Sequence, residues 1–174
     1  GSLNIPETCD SIEESAFYEC SSFSGSLNIP SKITEINQHL FSGCSGFDGQ
    51  LNIPSIVTSI GDFAFEGCSK IIGDLHLSNN VEKLGASAFA NCQGMDGQLT
   101  LSEKLDTIKS FTFSNCSKLR GLLNLPSSIS VIESYAFYNC FSLTGELNIH
   151  DNIKNIREST FFNCFGFSGL ILLN

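Results

Sequence analysis

Apolar and polar positions along the chain repeat every 24 residues. Glycine opens each unit, at Gly1, Gly25, Gly49, Gly73, Gly97, Gly121, Gly145 and Gly169. The third and fifth places are apolar: Leu3 and Ile5, Leu27 and Ile29, Leu51 and Ile53, and so on to Leu147 and Ile149. The place between them is polar: Asn4, Asn28, Asn52, His76, Thr100, Asn124 and Asn148. Alternation with period two over so short a run predicts a half-buried strand. Proline ends it at Pro6, Pro30, Pro54 and Pro126, where the missing N–H cannot extend a ladder.

The ninth and twelfth places are apolar too, as in Ile33 and Ile36 or Ile129 and Ile132; Cys9 is the one departure. A three-residue gap predicts a bend or a very short strand on the far side of a coil. The seventeenth place is phenylalanine throughout: Phe17, Phe41, Phe65, Phe89, Phe113, Phe137 and Phe161. The twentieth is cysteine, from Cys20 to Cys164, and the twenty-third is large and apolar, from Phe23 to Phe167. No unit can bury this set alone, so the units must stack, with like residues in columns. A fixed period of this length is the mark of a solenoid. At about 4.8 Å per coil, seven units make a rod roughly 34 Å long. The expected content is strand and tight turn, with at most a one-turn helix near Ala16–Phe17 and its equivalents. The leading glycine is expected to serve a positive φ or a close approach between coils.

The chain therefore reads as one leucine-rich, β-rich solenoid domain over 1–174, with units starting at 1, 25, 49, 73, 97, 121 and 145 and a partial unit from 169. It starts and stops on the repeat, which suggests a segment of a longer protein, with any export signal and anchor outside it. Apolar residues make up 41%, enough for a continuous core. The net charge is −9 and the nine Lys and Arg are scattered, which disfavours nucleic acid and anionic membranes. No apolar run is long enough to insert in a bilayer.

LNIP, then IxxI, then AFxxC, then a large apolar residue resembles the BspA-like, or treponemal-type, leucine-rich repeats. SAFYEC at Ser15–Cys20 and YAFYNC at Tyr135–Cys140 show the pattern well. The family's usual unit is one residue shorter, and the extra residue here sits near the leading glycine. The resemblance implies a right-handed solenoid with a parallel sheet on its inner face. It also implies a protein of the surface of a host-associated bacterium or parasitic protist, acting in adhesion.

The eight cysteines read as buried thiols. Equivalent cysteines one coil apart point the same way, whereas a disulfide needs converging Cβ atoms about 3.8 Å apart. Cys9 reads as a core substitution, with a Cys9–Cys20 bond as the alternative. His39, His76 and His150 occupy different places of the repeat and form no column. Asp48, Asp74 and Asp96 flank the glycines and read as turn formers. Neither zinc nor calcium spacing is present, and no nucleophile or phosphate-loop motif appears. A non-catalytic protein without cofactor or metal is expected.

Two stripes face outward from the inner sheet. One is the polar place already named, whose asparagines could also form a hydrogen-bonded ladder. The other is Ser2, Ser26, Gln50, Asp74, Gln98, Leu122 and Glu146, which varies more and suits a specificity surface. The candidate contacts are Asp74, His76, Gln98, Leu122, Asn124 and Glu146. The expected partner is a protein or glycan, host extracellular matrix included. A spacer or scaffold with no ligand of its own is the alternative. The apolar run from Phe161 to Leu173 suggests self-association through the C-terminal coil.

Overall fold

The computed structural model describes residues 1–168. The partial unit from Gly169, with Leu170 to Leu173 of the C-terminal apolar run, lies outside the described residues. Each 24-residue unit forms one coil, numbered here from one to seven in chain order, and all contacts between coils are parallel.

Two ladders run along the rod. On the inner face, β1 (Leu27–Asn28) pairs with β3 (Leu51–Asn52), and β5 (Leu75–His76) with β7 (Leu99–Thr100). A further pair joins β9 (Gly121–Leu122) to β11 (Leu143–Thr144). The second ladder is built from the IxxI bend. It contains β2 (Glu35–Ile36), β4 (Ser59–Ile60) and β6 (Lys83–Leu84), then β8 (Thr107–Ile108), β10 (Val131–Ile132) and β12 (Asn155–Ile156). The far-side bend is thus a two-residue strand. The first coil contributes no strand, and the six far-side strands form two three-stranded sheets, β2–β4–β6 and β8–β10–β12, with four paired coil-to-coil steps and none between β6 and β8. The inner sheet is also in pieces rather than continuous.

The core is one cluster of stacked columns. The seven phenylalanine rings lie face to face. Centroids are 5.2 Å apart for Phe17–Phe41, 5.7 Å for Phe41–Phe65 and 5.2 Å for Phe65–Phe89, and the series continues to Phe161. Phe47 meets Phe41 edge-on at 6.5 Å. Such aromatic pairs add about 0.5–1.5 kcal/mol beyond area burial.

The AFxxC segment is a chain of turns, and no helix occurs among the described residues. Two backbone facts explain this. The fifteenth and nineteenth places are left-handed in every coil, for example Ser15 (φ 59), Phe63 (φ 58), Tyr135 (φ 61) and Asn115 (φ 60). Alternate amides also leave the coil: Phe63, Phe65 and Gly67 donate to the carbonyls of Ala86, Ala88 and Ala90 in the next coil. The amides between them donate back three residues, as Glu66 does to Phe63 and Cys68 to Phe65. From Asn91 onward the nineteenth place is asparagine, and its side chains form a ladder through Asn115 and Asn139 to Asn163 at 2.8–2.9 Å.

All eight cysteines are free thiols. Six donate a hydrogen bond to the carbonyl of the phenylalanine one coil earlier, as Cys68 does to Phe41 (3.2 Å) and Cys116 to Phe89 (3.1 Å). Cys9 lies instead near the surface and donates to Ser11 O at 3.1 Å. Burial pushes the column thiols up, Cys116 to about 12 and Cys44 to about 11.

Candidate binding face and its three grooves

The inner face is decided at the coil junctions, which come in two kinds. Between coils two and three, and between four and five, the strands sit in the full 24-residue register, as Leu27 to Leu51 and Leu75 to Leu99. Leu27 and Ile29 donate across the first of these junctions to Gln50 and Asn52; Leu75 and Leu77 do so across the second to Gln98 and Thr100. Both junctions carry the sequence Gly-x-Asp-Gly, at Gly46–Gly49 and Gly94–Gly97. The aspartate explains the closure. Asp48 Oδ1 accepts Gly25 N–H at 2.7 Å, and Asp96 Oδ1 accepts Gly73 N–H at 2.9 Å. The Gly73 N–H holds the Asp96 carboxyl below the usual carboxylate range. The following glycine amides then donate straight up the column, Gly49 to Gly25 O (3.0 Å) and Gly97 to Gly73 O (3.1 Å). Glycine is required because the preceding coil lies against it: a Cβ on Gly49 would come within 2.5 Å of Ser26 N.

The junctions between coils three and four, five and six, and six and seven lack that sequence. Their head glycines are left-handed instead, Gly73 (φ 90), Gly121 (φ 86) and Gly145 (φ 81). Pairing there is shifted by two residues. Gln50 faces Ile72, and Gly121 faces Leu143. The amides of Ile53 and Leu101 make no backbone bond to the next coil, unlike Ile29 and Leu77.

A groove opens at each of these three junctions, while the junction between coils one and two, where Gly25 (φ 81) is also left-handed and Ser24 N–H donates to Gly1 O, lines none of them. Gln50, Asn52, Asp74 and His76 line the first, of about 270 Å³. Gln98, Thr100, Glu103, Leu122, Asn124 and Pro126 line the second, of about 340 Å³. Leu122, Asn124, Glu146, Asn148 and His150 line the third, of about 360 Å³. The second and third share Leu122, Asn124 and Leu125, and so form one trough across coils five to seven.

All six residues singled out from the sequence are exposed and line these grooves. Asp74 and His76 stand apart in the first groove. Gln98, Leu122, Asn124 and Glu146 come together in the trough. Leu122, the one apolar residue among them, is 58% exposed. Asp74 Oδ1 accepts Gln98 N–H at 2.7 Å, so part of its capacity is used within the fold. The expected asparagine ladder forms on this face at Asn28–Asn52, where Nδ2 donates at 2.7 Å. Asn52, His76, Thr100, Asn124 and Asn148 of the same stripe line the grooves. Sequence reasoning missed Glu103, Pro126 and His150. They follow the strand rather than lie on its alternating face; the signal that would have found them was Gly-x-Asp-Gly present at some junctions and absent at others. His150 Nε2 lies 2.9 Å from Pro126 O, which ties coil seven to coil six at the trough's end.

Among the described residues no group of three or more His, Cys, Asp or Glu is placed to hold a metal ion, and no helix is long and apolar enough to cross a membrane.

Short parallel strands on two faces, turns between them and columns of like side chains within define a leucine-rich repeat solenoid. The chain belongs to the BspA type leucine rich repeat family, which matches in six copies over residues 1–95 and 48–168. It is similar to a leucine-rich repeat protein of Bacteroides ovatus: TM-score 0.74, 26% identity, covering 94% of this chain and 52% of that one. It is also similar to the T. pallidum leucine-rich repeat protein (TM-score 0.55, 26% identity, 75% of this chain and 69% of that one). A leucine-rich repeat protein of Eubacterium ventriosum shares the fold, with TM-score 0.59, 22% identity and 87% and 45% coverage. The chain thus spans about half the length of the B. ovatus protein. No curated protein matches it.

Proposed function

We propose that this chain is a non-catalytic binding module of a cell-surface protein, holding a protein or glycan of a host through its inner face. One observation carries the reading: exposed stripe residues from Gln50 to Asn148 line three grooves, each at a junction where the strand ladder is shifted. Buried columns hold the coils rigid, so the grooves are preformed and little ordering is needed on binding. Extended solenoid faces commonly bind in this way. Family membership supports the surface setting and the adhesive role.

The test is capture on arrayed extracellular-matrix proteins and glycans. Reversing charge with Asp74→Lys and Glu146→Lys, or disrupting the trough with Leu122→Asp, should weaken capture at least about tenfold if these are central contacts. The melting temperature should hardly move for Glu146→Lys and Leu122→Asp, whose side chains are exposed, and should fall modestly for Asp74→Lys, which loses the bond from Gln98 N–H. Capture that survives all three substitutions would place the binding surface elsewhere.

A further inference from the structure

The trough across coils five to seven has a composition that selects among ligand classes. The two inner-face stripes hold two places in each of seven coils, fourteen residues from Ser2 to Asn148, and none is Lys or Arg. The trough walls contain no Lys or Arg either, but carry the carboxylates of Glu103 and Glu146. Neither of the two ion pairs among the described residues, Lys104–Glu82 and Lys109–Asp62, engages those carboxylates. Lys104, the basic residue next to Glu103 in sequence, is directed away to Glu82 at 2.9 Å. Both charges therefore remain available to a ligand.

The rest of the lining is amide and aliphatic. Gln98, Asn124 and Asn148 present both donors and acceptors, which matches the paired N–H and C=O of a peptide group. Leu122 projects from the wall shared by the two grooves, an apolar knob between polar troughs. No Phe, Tyr or Trp lines either groove, and the one ring, the His150 imidazole, is tied 2.9 Å from Pro126 O at the trough's end, so no flat apolar platform meets the C–H face of a sugar.

Building on the inner-face reading above, we infer that the trough takes an extended, basic peptide segment. Its Lys or Arg side chains pair with Glu103 and Glu146, its backbone bonds to the amide side chains, and an apolar side chain covers Leu122. An acidic segment is rejected by the same two carboxylates, and rejection of a wrong charge contributes as much to specificity as attraction.

The probes are a labelled nonapeptide with alternating Lys and Ser around one central Leu, the same peptide with Glu for Lys, and a set of neutral oligosaccharides. Fluorescence anisotropy with the whole chain should show binding of the Lys peptide, weakening as salt rises. The double variant Glu103→Gln/Glu146→Gln should weaken it about tenfold, while Glu13→Gln/Glu14→Gln, the same charge change in the first coil, should change it less than about twofold. Equal weakening by both pairs, equal binding of the Glu peptide, or no binding of the Lys peptide would overturn the assignment. Hydroxyl-radical footprinting separates the two levels of the claim. An oligosaccharide that protects Leu122 overturns the peptide assignment and leaves inner-face binding standing. A bound Lys peptide that leaves Leu122 unprotected overturns the trough assignment, and one that protects no inner-face residue, Ile53 included, overturns both.

Discussion

A thiol column is an unusual core material, and its chemistry sets a limit on stability. Six cysteine Sγ–H groups donate to phenylalanine carbonyls from inside the rod, and burial raises their pKa values, Cys116 to about 12. An unfolded cysteine ionises near pH 8.5. The folded state therefore keeps protons that the unfolded state loses. Their contribution is complete below about pH 8.5 and is lost as pH rises toward about 12, the value for Cys116. The melting temperature should fall steeply from pH 9 to pH 11, with up to six protons taking part. Cys116→Ala should lower stability at pH 7 yet give a shallower alkaline slope. A slope unchanged by that substitution would mean that the thiols do not drive the loss.

The coil junction is the element that separates a sealed face from an open one. At Gly46–Gly49 and Gly94–Gly97 an aspartate carboxylate takes up the glycine amide one coil below, and the following glycine stacks directly on its neighbour. At Gly121 the chain instead turns through a left-handed conformation and the pairing slips. Amide hydrogen exchange should record the difference, with Ile53 and Leu101 exchanging faster than Ile29 and Leu77. Lys118→Gly with Arg120→Asp installs Gly-x-Asp-Gly before coil six. The second groove should then close, Leu101 should gain protection and ligand capture should drop. Capture at full strength alongside a newly protected Leu101 would show that this groove is not used.

For the whole molecule, stability is the sum of coils and of the interfaces between them. A substitution in mid-column touches two interfaces; one at the end touches fewer. Phe89 is fully buried between Phe65 and Phe113, while Phe17 is only partly buried against Phe41. Phe89→Ala should cost about 3–5 kcal/mol in urea unfolding, and Phe17→Ala distinctly less. Equal costs would argue against column packing as the source of rigidity. Exposed aromatics also mark the last coil, Phe162 and Phe165 among them, and Phe165 is 76% exposed. They are part of the apolar stretch from which self-association is expected. Light scattering over a concentration series tests that expectation.

The 24-residue period, the inward set of Leu27, Ile33, Phe41 and Phe47, and the outward stripes were all readable in the amino-acid sequence. Burial demands a repeating apolar pattern, and the pattern in turn demands stacking. The free thiols followed from the same geometry, because column neighbours cannot turn their Cβ atoms toward each other. Tertiary structure alone decided how adjacent coils meet. Left-handed backbone at Phe63 and Tyr135 replaces the one-turn helix that a local reading allows, because alternate amides are drawn to the next coil. The choice between closed and shifted junctions depends on whether an aspartate reaches a glycine amide 23 residues before it. That hydrogen bond exists only after the coils have stacked, and it decides where Leu122, Asn124 and Glu146 come to share a trough.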